Sequence, residues 1–417
     1  MARSPSRAPV AASPAGARPR AVLPALCATQ IVSWGIVYYA FPVLNPRITA
    51  QTGWSAGATT AAFSMALVIS ALAGIRVGRI LDRHGPRIVM TAGSALGALS
   101  LLIMAGAPNL PVFFAGWMPA GLAMAAIFYQ PAFAAVTRWW GEGRVRALTV
   151  VTLAGGLAST VFAPLTALLA EHFGWRGTYA ILAVLLAAVT IPAHALALRA
   201  PWPPAPPAPA HTAAATSASA ARGRPFILLA AAFTLSGFAM YAVVFSLVPL
   251  LTGRGASTTA AAWVLGLGGA GQTLGRTLYA ALARRTGVTT RTVALLAGGA
   301  ATTAALALVS GPVILVMAIA VVAGTVRGNL TLLQATAVTD RWGATHYGRL
   351  SALLLAPATV AAAMSPFLGT ALAGALGGYP ALFMLLACVS VAAALLAAAT
   401  GPRRRGRAVP TPADTTR

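Results

Sequence analysis

Long apolar stretches dominate this chain of 417 residues and recur about twelve times, each close to the length that crosses a membrane. A helix needs about 20 apolar residues to cross the hydrocarbon core, and in lipid its backbone polar groups must be satisfied within the span. We therefore predict an all-α integral membrane protein with twelve transmembrane helices. The predicted spans are 22–45, 57–81, 88–107, 111–137, 147–170, 177–199, 226–251, 258–283, 291–309, 312–338, 350–373 and 380–400.

The two halves of the chain repeat at an offset of 202 residues. The matching pairs include Gly35 and Gly237, Tyr39 and Tyr241, Ser55 and Ser257, Arg83 and Arg285, Gly85 and Gly287, Trp140 and Trp342, and Pro164 and Pro366. A single offset for five helix pairs requires both halves to have the same orientation, which six helices per half provide. Two repeated helical halves with a substrate site near the membrane midplane are typical of secondary transporters.

A break rich in Pro and Ala separates the halves and divides the chain into five segments. We predict an N-terminal tail at 1–21, a six-helix half at 22–199, a linker at 200–225, a second six-helix half at 226–400 and a basic tail at 401–417. The first apolar segment leads into further spans, so residues 1–21 are interpreted as a cytoplasmic tail and not as a cleaved signal.

Charged residues make up only 8% of the chain, yet the net charge is +24, because all 29 basic residues are Arg and five residues are acidic. The Arg residues lie at the ends of apolar segments, which argues against nucleic-acid binding. With both termini and the linker in the cytoplasm, the loops on the other side carry only Arg47, Arg176 and Arg254. This bias predicts that orientation in a bacterial inner membrane, with the lipid bilayer as a partner. Cys27 and Cys388 have no disulfide or metal spacing, so no metal or cofactor is predicted.

A charged loop follows the second span and reads Gly78-Arg79-Ile80-Leu81-Asp82-Arg83-His84-Gly85-Pro86-Arg87. It resembles the loop signature of the major facilitator superfamily, which has a Gly, an Asp-Arg pair four residues later, and then a Gly and a basic residue. Together with the twelve spans and the repeat, the resemblance covers essentially residues 22–400. It implies the fold of that superfamily and transport by alternating access.

The residues of this loop have readable physical roles: Gly78, Asp82, Arg83, Gly85 and Arg87. We expect Gly78 to let the second helix pack closely on a neighbour and Gly85 to permit a tight turn. In the superfamily the Asp helps to latch the two halves on the cytoplasmic side, near the start of helix 11, and we carry this role to Asp82 alone. The alternative is a satisfied turn carboxylate without a gating role.

Two Arg residues lie deep within predicted spans, where charge is costly and often functional. At a rise of 1.5 Å per residue, Arg276 lies about 12 Å from the edge of its span, and Arg327 lies about 16 Å from the edge of its own. Neither reaches water easily. The guanidinium group offers a planar fork of donors that matches a carboxylate. Since no Asp or Glu lies deep in a predicted span, we expect a site for a small anion, unless both Arg residues only brace helices through backbone carbonyls.

Further polar and aromatic residues share helical faces in the spans that border the central cavity in this superfamily. The predicted substrate-binding residues are Gln272, Arg276 and Tyr279 in the eighth span, Arg327, Thr331 and Gln334 in the tenth, Gln30, Trp34 and Tyr38 in the first, and Tyr129 and Gln130 in the fourth. The last two come just before Pro131, where we expect a bend. Ordinary packing is the alternative for the aromatic residues.

We expect a permease for a small organic anion, with a coupling proton or an exchanged anion as its second partner. The Arg in the eighth span resembles that of the monocarboxylate and oxalate–formate carriers, although the Asp near it in the former and the Lys of helix 11 in the latter are missing. The alternative is an exporter of drugs or toxic oxyanions. Such exporters carry an Arg in helix 4 where Trp117 stands here, and their Gly-Pro pattern in helix 5 is only partly matched by Gly155, Gly156 and Pro164. Neither a nucleophile–base pair nor a nucleotide loop suggests an enzyme.

Overall fold

The computed structural model describes residues 20–140, 143–202, 221–342 and 347–400, and these are almost entirely helical. We number the helices in chain order. The first half contains α1 Val22–Thr52, α2 Ala56–His84, α3 Pro86–Ala105, α4 Leu110–Trp140, α5 144–173 and α6 175–197. The second half contains α7 Arg224–Thr252, α8 Thr258–Arg285, α9 Val288–Leu308, α10 Val313–Trp342, α11 Tyr347–Ala375 and α12 Tyr379–Ala398.

Ten helical segments of the described chain are long and apolar enough to cross a membrane. One of them, Arg146–Ala197, has 52 residues and is interrupted at Gly174, so it contains two spans. The φ of 63° at Gly174 lies in the left-handed region that glycine adopts without strain. The remaining helix, α8, is richer in Gly and polar residues. The predicted fold of twelve helices in two halves is confirmed.

The predicted segment boundaries stay predictions at the ends of the two halves. Almost all of the tail at 1–21, the whole tail at 401–417 and most of the linker at 200–225 lie outside the described residues.

Capping residues explain where several helices begin and end. The Ser55 hydroxyl accepts a hydrogen bond from the backbone N–H three residues later at the start of α2, and Ser257 does the same in α8. These two residues are a matching pair of the internal repeat. Gly85 ends α2 with a φ of 80°, which confirms the predicted tight turn.

The largest contacts between the two halves involve two pairs of helices. Inside the first half α3 packs on α4 and α6, and α2 packs on α4; inside the second, α7 packs on α11, and α8 packs on α10. Across the halves, α2 packs on α11 and α5 packs on α8. These two contacts are equivalent in the internal repeat, because α2 corresponds to α8 and α11 corresponds to α5. We call the α5–α8 contact the seam.

Glycines on two faces of α8 bring its backbone against both neighbours. A Cβ atom at Gly271 would lie 2.1 Å from the carbonyl oxygen of Val321 in α10. On the other face, a Cβ at Gly266 would lie 3.2 Å from the carbonyl oxygen of Ser159 in α5. The Thr160 hydroxyl donates to the Gly266 carbonyl at 2.9 Å. Small residues permit such close approach of helices in membranes, so α8 is held between α5 and α10.

Two hydrogen bonds between the halves lie towards the end of the bundle that is opposite the Asp82 loop. We call this the far end, and the end that carries Asp82 the loop end. The Ser64 hydroxyl of α2 accepts a hydrogen bond from the backbone N–H of Phe367 in α11 at 3.2 Å. The Thr259 hydroxyl at the start of α8 donates to Glu171 in α5. The halves are therefore joined at the far end.

Candidate functional site

A cavity of about 240 Å³ lies between the two halves, on the loop-end side of the Ser64–Phe367 contact. Residues of α1, α2 and α4 form one wall, and residues of α7 and α11 form the other. Four residues predicted to bind substrate line it: Trp34, Tyr38, Tyr129 and Gln130. Among the described residues its lining is aromatic, aliphatic and neutral polar, without a charged side chain. We call it the central cavity.

Stacked aromatic rings form the first-half wall of the central cavity. The Trp34 ring stacks on Phe128 with 4.0 Å between the ring centroids, and it lies 5.1 Å from both Tyr38 and Tyr129. Tyr38 also meets Phe245 of the second half at 5.1 Å. Residues Trp34–Tyr39 form a π-helical turn within α1, a feature that is frequent at functional sites. This wall presents apolar ring faces with polar atoms at their tips.

The wall depends on a break in α4 at Phe128, where ψ is −162°. Pro131 has no backbone N–H, so the carbonyl of Ile127, four residues earlier, loses its helical donor. Gln30 of α1 replaces it, because its Nε2 donates to the Ile127 oxygen at 2.8 Å. The Gln30 Oε1 accepts a hydrogen bond from Trp34 Nε1 at 3.2 Å. Gln30, predicted to bind substrate, is thus fully buried and holds the aromatic wall in place.

Arg276 lies behind this wall, at the seam. Its side chain is buried, and Nη1 donates to the carbonyl oxygen of Thr152 in α5. Arg276 also lies close to the side chain of Tyr129, which lines the cavity. Both groups pack over adjacent glycines of α5: Tyr129 over Gly155 and Arg276 over Gly156. Arg276 therefore braces α5 and also touches the cavity wall, and its Nε has no hydrogen-bond partner among the described residues.

Arg327 is half-buried in α10 and lines a second, smaller cavity of about 50 Å³ inside the second half. Its Nε and Nη2 are buried and have no hydrogen-bond partner within the described ranges. Tyr38 and Tyr241 of the central cavity lie within electrostatic reach of its charge. The structure does not bring Arg276 and Arg327 onto one cavity surface.

The other four predicted residues of the second half do not line the central cavity. Gln272 is buried, and its backbone forms part of the close α8–α10 contact. The Tyr279 hydroxyl hydrogen-bonds Thr336 Oγ1 at 2.7 Å. Thr331 donates to the carbonyl four residues before it, and Gln334 is half-buried further along α10.

Asp82 at the loop end forms a salt bridge of 2.6 Å with Arg138 of α4. Trp202, at the start of the linker, covers this pair: its indole N–H donates to the Asp82 carbonyl at 3.2 Å, and the Arg138 guanidinium lies 4.5 Å from its ring centroid. A Cβ at Gly85 would lie 3.2 Å from the same ring. These partners belong to the first half and the linker, so the latch between Asp82 and α11 stays a prediction.

The remaining residues of the loop have separate environments. Arg87 Nε donates to the carbonyl oxygen of Ala195 in α6 at 2.9 Å, and Arg83 is exposed. The expectation that Gly78 allows close helix packing is wrong, because a Cβ there would meet no atom within 4 Å.

The sequence reasoning missed a second ion pair, which the repeat could have revealed. At the offset of 202 residues Arg138 aligns with Asp340, so the two positions carry opposite charges. Asp340 forms a salt bridge of 2.7 Å with Arg291, whose guanidinium lies 5.5 Å from the ring centroid of Tyr279. Each half therefore has a salt bridge between two of its helices at the loop end.

Twelve membrane helices in two repeated halves, with a cavity between them, are the architecture of many membrane transporters. The chain belongs to the major facilitator superfamily, because the family model described as Major Facilitator Superfamily matches residues 26–353.

Similar proteins agree with this assignment. Monocarboxylate transporter 13 of Bos taurus is 26% identical over 253 residues, which are 58% of this chain and 55% of the relative. The MFS-type transporter YcxA of Bacillus subtilis (strain 168) is 27% identical over 143 residues, or 33% of this chain and 34% of the relative. The chain thus spans about a third to a half of these relatives. The structure of nucleoside transporter NupG has the same fold, with a TM-score of 0.71 at 14% identity over 91% of this chain and 98% of that one. These proteins are membrane transporters and not enzymes.

Proposed function

We propose that this protein is a secondary active permease that carries a small organic anion, a carboxylate in our reading, through the central cavity by alternating access. One observation carries the proposal: the cations Arg276 and Arg327 lie in the membrane interior with unpartnered N–H groups. The described acidic residues, by contrast, lie at helix ends: Asp82, Glu171 and Asp340. The described interior of the protein thus has positive charge without a carboxylate to balance it.

Arg276 is the group that we assign to the substrate carboxylate. A buried charge without a counter-ion costs several kcal/mol, and an anion bound next to it offsets this cost. Arg276 reaches the cavity wall at Tyr129, so a carboxylate beside Tyr129 and Gln130 would lie close to the guanidinium. Arg327 adds positive potential from behind Tyr38 and Tyr241. Charge-assisted hydrogen bonds of this kind are about twice as strong as neutral ones.

The aromatic wall suits the apolar part of an organic anion. Trp34 and Phe128 offer ring faces, and the neutral lining leaves the negative charge to the Arg276 side. The partial matches to monocarboxylate transporters support a carboxylate as the charged group. The same apolar lining favours the second candidate, an exporter of drugs or toxic oxyanions, since hydrophobic drugs bind to ring faces as well.

Contacts at the far end support alternating access. The halves are joined there by the Ser64–Phe367 and Thr259–Glu171 hydrogen bonds, and the cavity lies on the loop-end side. The bias of Arg residues supports a cytoplasmic loop end and cytoplasmic termini in a bacterial inner membrane. In this proposal the described state opens to the cytoplasm, and a proton or an exchanged anion drives the cycle.

A thermal-shift screen of the purified protein tests the proposal. Small carboxylates are compared with the matched neutral amides and with organic amines, because a ligand of the folded state raises its melting temperature. We expect carboxylates alone to stabilise the protein, and Arg276→Gln to weaken their apparent affinity at least tenfold. Arg76→Gln is the control, because Arg76 lies in a span but is exposed. Stabilisation by bulky amines alone, unchanged in Arg276→Gln, would overturn the proposal in favour of the exporter.

A further inference from the structure

The second cavity lies inside one half of the protein, at mid-membrane between α7, α9, α10 and α12. It shares no lining residue with the central cavity. Its polar lining comes from Arg327 and from the hydroxyl groups of Ser236, Thr302, Thr303 and Ser390. A cavity left by imperfect packing would be lined by apolar atoms and stay dry. This one combines apolar side chains with five side chains that carry hydrogen-bonding groups.

The charge of Arg327 has no counter-ion in the described protein. Its Nε and Nη2 atoms are buried and unpartnered. The acidic residue of the same helix, Asp340, is thirteen positions away, or about 20 Å along the axis, and is paired with Arg291. A buried cation in this state carries a desolvation cost of several kcal/mol. A ligand of opposite charge would remove most of it.

Two hydroxyl groups beside Arg327 are also free to donate. Thr302 and Ser390 give their hydroxyl protons to carbonyl groups of their own helices. Ser236 and Thr303 are buried and make no hydrogen bond to the described part of the chain. Together with the two N–H groups of Arg327, they provide donors from three different helices.

The internal repeat indicates that this space was not created by general loose packing. At the offset of 202 residues Ser236 aligns with Trp34, Met240 with Tyr38, and Val243 with Phe41. Three ring-bearing side chains in the first half are thus replaced by smaller ones in the second. Arg327 aligns with Ala125, so the cation is present only where the rings are missing.

We propose that the second cavity binds one small inorganic anion of halide size, with chloride as the probe of choice. Arg327 donates from Nε and Nη2, and the hydroxyls of Ser236 and Thr303 complete the site. A water molecule needs roughly 10–15 Å³ of such space, so a cavity of about 50 Å³ has room for a halide ion. The site does not depend on the identity of the transported substrate.

Thermal unfolding of the purified full-length protein in different sodium salts tests the site. Chloride, bromide and gluconate are compared at equal ionic strength, because gluconate is too large to enter. We expect chloride and bromide to raise the melting temperature saturably relative to gluconate. Arg327→Gln should abolish the difference, and Arg76→Gln, which removes an exposed cation, should retain it. Ser236→Leu fills the cavity while Arg327 remains, and it should abolish the difference as well.

Equal melting temperatures in chloride and gluconate would overturn the proposal. So would a halide response that survives in both Arg327→Gln and Ser236→Leu, because the ion would then bind elsewhere. If the variants fail to fold, crystals of the wild-type protein grown in bromide decide the matter. An anomalous peak within hydrogen-bond distance of Arg327 is expected, and a cavity that contains only water would refute the site.

Discussion

At the scale of single residues, Gln30 and Pro131 act as a pair although they lie in different helices. Pro131 deprives the Ile127 carbonyl of its helical donor, and the Gln30 amide supplies one at 2.8 Å. The other end of the same amide positions Trp34. One buried side chain thus repairs a helix and orients a ring of the central cavity.

Gln30→Leu is expected to lower the free energy of unfolding by about 1–3 kcal/mol, because it leaves a buried carbonyl without a partner. Thermal unfolding measures the change. Gln51→Leu, an exposed residue at the end of the same helix, is the matched control and should have little effect.

A double-mutant cycle with Pro131→Ala tests the reason for this loss. Alanine restores the backbone N–H, so Gln30→Leu should cost much less in the Pro131→Ala background than in the wild type. Equal costs in both backgrounds would refute the pairing of Gln30 with Pro131.

Helical periodicity predicted which side chains share a face but not what faces them. Trp34, Tyr38, Tyr129 and Gln130 line the central cavity, in the half where the prediction placed an aromatic site. Tyr279 follows Arg276 by less than one turn, yet its hydroxyl is bonded inside the second half. Spacing along one helix cannot reveal a partner that belongs to another.

At the scale of helices, the glycines of α8 allow its backbone to lie against two neighbouring helices. Its backbone lies against α10 on one face and α5 on the other. A Cβ at Gly271 would collide with the Val321 carbonyl, and a Cβ at Gly269 would collide with the Ser159 hydroxyl. Arg276 reaches the Thr152 carbonyl by packing over Gly156 of α5, where a Cβ would lie 3.1 Å from its Nη1. The position of the proposed substrate ligand therefore rests on glycines.

Gly271→Ala is expected to destabilise the protein by about 1–3 kcal/mol, because the added methyl group would force α8 and α10 apart. Gly374→Ala in α11 is the matched control, since a Cβ there meets no atom within 4 Å. The control should be neutral or slightly stabilising, as alanine favours helix over glycine. Melting temperatures in detergent compare the two, and an equal response would contradict the close α8–α10 contact.

Most of the fold could be predicted because apolar runs and a constant offset are properties of sequence. α8, predicted as the span 258–283, is less apolar than the other spans because it is rich in Gly and polar residues. The break of α4 was expected at Pro131 and occurs at Phe128, because the residue that loses its hydrogen bond precedes the proline. The covering of Asp82 by Trp202 could not be predicted, since it joins a loop to a linker without regular spacing.

At the scale of the whole molecule, the two halves are joined at the far end and enclose the central cavity on the loop-end side. Ser64 lies at the junction and Ser70, less than two turns further along α2, lines the cavity. The helix α2 therefore has one residue in the closed contact between the halves and another that lines the cavity.

Thiol labelling distinguishes these positions. In a background with Cys27→Ser and Cys388→Ser, Ser70→Cys should react with a membrane-impermeant thiol reagent from the loop end, whereas Ser64→Cys should be protected. A transported substrate should slow the labelling of Ser70→Cys if the halves rock around the cavity. Inside-out and right-side-out vesicles reveal which face of the membrane the loop end occupies, and equal labelling from both faces would contradict the closed far end.

The glycines at the seam also bear on how fast the halves can move past each other. Where glycines form the α5–α8 contact, few side chains interlock across it. Small sliding motions of one helix along the other therefore meet little resistance. Resistance comes instead from the hydrogen bonds that cross the seam, those of Thr160, Thr259 and Arg276. Each of these hydrogen bonds must break before the halves shift. An anion that draws Arg276 away from the Thr152 carbonyl would break one of these hydrogen bonds. Substrate binding itself would then lower the barrier to the movement of the halves.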